Sequence, residues 1–147
     1  MTQKLYIDIL ELLRKRFGNK VLWTDDIDKM MKLFFKNKAS PTVPYDHYKP
    51  NGRESYCVIN TDSSKENGEH WVAVYNKGRT LYIYDSFGRK TNYILKNFFH
   101  TMKKQGYAII ESKRDPEQAD KQQDCGLRCV SFLLVVKHSG INNALLI

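Results

Sequence analysis

From Cys125 to Val136 the chain reads CGLRCVSFLLVV, a strongly apolar run too long for an ordinary strand and without an internal breaker. A helix that is apolar on all sides has no solvent face, so it must lie inside the molecule with other elements around it. The run therefore predicts a buried helix that starts at Cys125, and the upstream sequence must supply the layers that cover it.

That upstream sequence falls into helices, then strands. Leu5, Ile9, Leu12 and Leu13 recur on one helical face behind Thr2, a candidate N-cap. Thr24-Asp25-Asp26 opens a second helix whose apolar stripe is Ile27, Met30, Met31, Phe34 and Phe35, with acidic residues at the positive end of the helix dipole. Ser40 to Arg53, with three prolines and an Asn-Gly pair, reads as an ordered loop. Tyr56–Asn60, Trp71–Tyr75 and Leu81–Tyr84 are short runs rich in Val, Ile and Tyr, the composition of strands. The turn chemistry of Asn76 to Arg79 pairs the last two as an antiparallel hairpin. A helix over Asn92–Lys104, with Ile94, Leu95, Phe98, Phe99 and Met102 inward, stops at Gly106, and Tyr107–Ile110 adds a strand. The order predicts an α+β fold: a mixed, mainly antiparallel central sheet flanked by helices, with Cys125 at the N-terminus of the buried one. At 147 residues, the chain has the length of one domain, read as 1–147.

Composition narrows the function classes. No apolar run reaches membrane-spanning length, and charges punctuate the first residues where a secretion signal would be apolar, so an intracellular protein without a membrane span is expected. Three cysteines, an odd number, argue against a disulfide framework. A net charge of +8 and a pI near 9.4 draw a surface to polyanions, nucleic acid first. A Lys/Asn-rich solvated surface produces the same numbers.

Cys125 at a helix start feels the helix dipole and unpaired backbone N–H groups, which favour the thiolate and lower the thiol pKa. Gly126 beside it leaves room for a substrate backbone. Read alone, Cys125 fits better as a small buried hydrophobe, the reading preferred also for Cys57 and Cys129. The cysteine spacing does not suit a metal site. Of four histidines, only His70 immediately precedes a central strand, after the polar stretch Thr61–Glu69. Asp85 ends the strand that pairs with the one His70 begins, so the hairpin brings the two together at its open end. A carboxylate there can fix the imidazole tautomer and support an imidazolium. Trp71 is a candidate to bind substrate or to shield that pair from water, or simply a core aromatic.

Three stretches in this order, Gly68-Glu69-His70-Trp71-Val72-Ala73-Val74, Leu81-Tyr82-Ile83-Tyr84-Asp85-Ser86-Phe87-Gly88 and Gln123-Asp124-Cys125-Gly126-Leu127, resemble the adenovirus protease (adenain) family. The wider group includes the proteases that process SUMO-like proteins. Cys57-Val58-Ile59-Asn60-Thr61 looks like the family's strand ahead of the histidine loop. Leu22-Trp23-Thr24-Asp25-Asp26-Ile27 resembles the helix start of the SUMO-protease branch. The similarity runs from about Trp23 to Val136.

The resemblance implies a cysteine endopeptidase in which Cys125 attacks the scissile carbonyl, His70 shuttles the proton and Asp85 orients His70. It implies an oxyanion hole made by the Cys125 backbone N–H and a glutamine amide, for which Gln118 stands at the adenovirus-branch spacing. Gln122 and Gln123 are alternatives nearer the cysteine; the asparagine usual between glutamine and cysteine is missing, with Lys121 near its place. It also implies a viral maturation protease, monomeric, cleaving capsid or core precursors after small residues and packaged in a virion or held at the site of assembly. DNA and a short activating peptide are candidate cofactors, neither obligatory. Two other expectations stand beside this one. A protease of ubiquitin-like tails would use the same triad, and a non-enzymatic basic DNA-binding or capsid-associated protein would need none of it.

Overall fold

The apolar run forms helix α5, Cys125–Ser139, and every residue from Cys125 to Val136 is buried. The computed structural model describes residues 2–18, 23–62, 70–88, 91–112 and 124–147. Its other helices are α1 Thr2–Phe17, α2 Thr24–Phe35, α3 Thr91–Ile94, α4 Lys96–Lys104 and α6 Ile141–Ala144. The strands are β1 Val43–Pro44, β2 Glu54–Asn60, β3 Trp71–Lys77, β4 Thr80–Tyr84 and β5 Ala108–Glu111. They form one five-stranded sheet in the order β1-β2-β3-β4-β5. The central pairs β2–β3 and β3–β4 are antiparallel, and both edge strands pair in parallel. The fold is therefore α+β with a mixed, mainly antiparallel sheet. Among the described residues no helix is long and apolar enough to cross a membrane.

Both faces of the sheet are covered, which explains why the central strands read as nearly continuous apolar runs. Side chains alternate along β3: Ala73 and Tyr75 pack with α1, α2 and α5, while Val72 and Val74 join a second cluster with Leu95, Phe98, Phe99 and Met102. Phe132 of α5 lies flat on Tyr84 of β4, ring centroids 4.4 Å apart. At the N-terminus of α2, the Asp26 carboxylate accepts the Trp23 backbone N–H at 3.1 Å.

The structure departs from the sequence reading in four places. The α1 face that enters the core is Tyr6, Leu10 and Leu13, while Leu12 is exposed. The segment read wholly as loop supplies β1; its Pro44 is tolerated because an edge strand can lack a ladder donor. The hairpin turn is tighter than expected: Asn76 pairs with Leu81 and Lys77 with Thr80, so only Gly78 and Arg79 lie between the strands. Gly78 adopts φ 60°, the positive value that such a two-residue turn needs at its first position. The helix expected over Asn92–Lys104 is broken at Leu95 into α3 and α4.

The buried thiols make stability pH-dependent. Burial pushes Cys57, Cys125 and Cys129 above the ordinary 9.0. As pH passes 9, the unfolded chain sheds thiol protons that the folded chain retains, so stability is full below that pH and falls above it. Each thiol contributes up to about 1.4 kcal/mol per pH unit. Calorimetry between pH 7 and 10.5 should show Tm falling steeply beyond pH 9. A Tm that holds level through that range would contradict the burial of these groups.

Candidate active site

The site forms where the N-terminus of α5 meets the β3–β4 hairpin. Asp85 to Gly88 follow β4 as a tight turn closed by the Gly88 N–H on the Asp85 carbonyl at 2.9 Å. Gly88, at φ 65°, accommodates the turn's exit. The Asp85 side chain caps its own turn, accepting the Phe87 N–H on Oδ1 at 3.0 Å. The sequence Asp-Ser-Phe-Gly thus builds a rigid cradle for one carboxylate. That same Oδ1 meets His70 Nε2 at 2.7 Å, with both side chains buried. The His70 backbone is held as well, since its carbonyl accepts the Thr61 N–H at 3.0 Å.

The His70–Asp85 bond decides the chemistry of the ring. An ionised Asp85 only accepts, so Nε2 carries the proton and Nδ1 carries the free lone pair. Nδ1 is buried and, among the described residues, has no hydrogen-bond partner. A buried ring nitrogen left open in this way is the feature expected of a base awaiting a proton. Phe87 stacks on the imidazole, centroids 4.5 Å apart, and fixes its plane.

Cys125 is the first residue of α5 and is 8% exposed. The backbone N–H groups of Trp71 and Gly126 lie close enough to its thiol to favour the thiolate. Trp71 is the residue after His70, so this contact brings the thiol to the end of β3 that carries the imidazole. Asp85 acts electrostatically on the same thiol. The hairpin and the helix thus bring Cys125, His70 and Asp85 to one place, on three separate elements.

One expectation is corrected. Burial is the largest influence on the Cys125 thiol and pushes it above its ordinary value, and the Asp124 and Asp85 charges add to that push. The Trp71 and Gly126 N–H groups pull downward, as a helix start should, but they are outweighed. At neutral pH Cys125 rests as a thiol, so its proton must be removed during reaction. Trp71 is only part-buried and packs at the edge of the α5-side core. The ring stacked on the histidine is Phe87, which sequence reasoning did not single out. Gln118, Gln122 and Gln123 lie outside the described residues.

The other two cysteines are fully buried, and burial holds both well above the ordinary thiol range. Iodoacetamide should therefore label Cys125 first, at a rate that climbs as pH passes 9, as peptide mapping of the alkylated chain can establish. Earlier labelling of Cys57 or Cys129 would contradict the site.

Sequence reasoning also missed a polar network beneath the thiol. Asp124, immediately before Cys125, is 8% exposed and receives Arg128 Nε on Oδ1 at 3.0 Å and Arg14 Nη2 of α1 on Oδ2. Arg128, a lone charge inside an apolar helix, was the available signal, because a buried guanidinium demands a buried acid.

The chain matches no protein-family model, and no curated protein matches it.

Proposed function

We propose that this chain is a cysteine protease with Cys125 as nucleophile, His70 as base and Asp85 as the group that orients the base. The observation that carries the reading is the buried His70–Asp85 pair, its Nδ1 without a partner among the described residues, next in sequence to the Trp71 N–H that acts on the Cys125 thiol. The likeness of its three motifs to the adenovirus-protease group supports the same assignment.

His70 Nδ1 takes the Cys125 proton as sulfur attacks the carbonyl carbon, and Asp85 stabilises the imidazolium that forms. The tetrahedral oxyanion faces the α5 N-terminus, where the Cys125 N–H is unpaired within the helix, with Gln118 proposed as the second donor. Collapse breaks the C–N bond, His70 returns its proton to the leaving amine, and a thioester remains on Cys125. Water, deprotonated by His70, then releases the acid and restores the thiol.

For substrate class, we propose precursor proteins of a virus particle, cut after small residues, with DNA attraction by the +8 chain as a modulating influence. Incubating wild type and Cys125→Ala with capsid- and core-type precursors, with and without DNA, tests this. Cleavage by the wild type alone is the expected result. Efficient release of aminomethylcoumarin from ubiquitin or SUMO conjugates, with the precursors left intact, would move the substrate to ubiquitin-like tails. Activities unchanged in Cys125→Ala would leave the non-enzymatic reading.

A further inference from the structure

The network around Asp124 reaches both sides of the site. Arg14 and Arg128 engage separate oxygens of the Asp124 carboxylate. Arg128 Nη1 continues to the Tyr6 hydroxyl of α1 at 3.4 Å, and that hydroxyl bonds the Tyr84 hydroxyl at 2.7 Å. Ser131 of α5 donates to the Tyr6 carbonyl at 2.7 Å, tying the two helices again. One end of this chain of contacts is the residue before Cys125, and the other is the residue before Asp85. Arg128 and Asp124 side chains are 7% and 9% exposed, and a carboxylate so enclosed must be compensated to remain charged.

Resting on Cys125 as the nucleophile, we propose that Arg14 and Arg128 are positioning residues: they clamp and neutralise Asp124, setting the place and the charge surroundings of the thiol. Helix α1 is then a working part of the site and not only a cover for α5. Among the described residues, the charged and titratable groups that act on the thiol are Asp124 just before α5, Cys129 on α5 and Asp85 after β4; Arg128 and Arg14 reach it through Asp124, and His70 adjoins Trp71. Asp124 opposes thiolate formation from the adjoining position, and its two arginines offset that opposition.

The test is the pH profile of iodoacetamide alkylation at Cys125, read by mass spectrometry for folded wild type, Arg14→Gln, Arg14→Lys and Asp124→Asn. Arg14→Gln removes one guanidinium and leaves Asp124 less compensated, so the profile's midpoint should rise and the rate at pH 8 should fall about three- to tenfold. Arg14→Lys should restore most of the rate. Asp124→Asn should move the midpoint the other way, downward. Were the cluster a brace with no electrostatic role, loosening it would expose the thiol and move both midpoints down toward the ordinary value. A midpoint in folded Arg14→Gln that is unchanged or lower would overturn the proposal. Should Asp124→Asn not fold, the two Arg14 variants decide alone. Alkylation needs no substrate, so its outcome is separable from whether the chain cleaves peptides.

Discussion

Cys125→Ala is expected to abolish peptide hydrolysis, with kcat/KM falling by at least about 10⁴-fold, while the fold persists. No other described thiol can take over, because Cys57 and Cys129 are fully buried. The substitution removes one sulfur atom from the first turn of α5 and leaves Cys129, Phe132 and Leu133 to hold the helix in the core. The cost in stability should be about 1 kcal/mol, a Tm change of a few degrees. Circular dichroism and a melting curve beside the activity assay separate the two effects. Residual hydrolysis within tenfold of wild type would remove Cys125 from the mechanism.

How much of this could be read from sequence differs by element, for physical reasons. Helix α5 was legible because a breaker-free apolar run longer than a strand has one burial solution. The β3–β4 hairpin was legible from alternating apolar runs around turn residues, and the hairpin then carried His70 and Asp85 together. The His70–Asp85 pair of the candidate site was thus readable because local structure fixed both of its members. The exact turn was not: Asn76 is a good turn former, yet in the structure it is fully buried and paired in the ladder with Leu81. Strand β1 was hidden by its proline, Pro44, since propensity speaks against a strand where tertiary pairing along an edge allows a short one. The Arg14–Asp124 contact joins residues 110 positions apart, and no pattern within α1 announces it. The sign of the Cys125 shift was also beyond sequence. A helix start argues for thiolate and depth of burial argues against it, and that depth is set by the tertiary packing around α5.

The second large effect concerns the base. His70→Ala is expected to reduce kcat/KM nearly as far as Cys125→Ala, because a thiol held above its ordinary pKa needs a group to take its proton. The double variant should be no worse than either single one, since the residues act as a unit. Asp85 should grade the effect. Asp85→Ala leaves His70 Nε2–H and the Phe87 N–H without their acceptor in a buried place, and kcat should drop about 10³-fold. Asp85→Asn keeps an oxygen that can accept both and hold the tautomer while the charge is lost, so its loss should be smaller, about ten- to a hundredfold. Equal losses in the two Asp85 variants would mean that charge, not orientation, is what Asp85 supplies. A His70→Ala chain with near-normal kcat would mean that the open Nδ1 has no part in proton transfer.

The thioester intermediate on Cys125 can be trapped. Peptide thioesters ending in Gly-Gly or Gly-Ala should be mixed with the chain, quenched in acid within seconds and weighed by intact-protein mass spectrometry. One acyl group per chain is expected, released by hydroxylamine, mapping to Cys125 and absent from Cys125→Ala. An acyl group on another residue, or turnover of these substrates by Cys125→Ala at the wild-type rate, would contradict it.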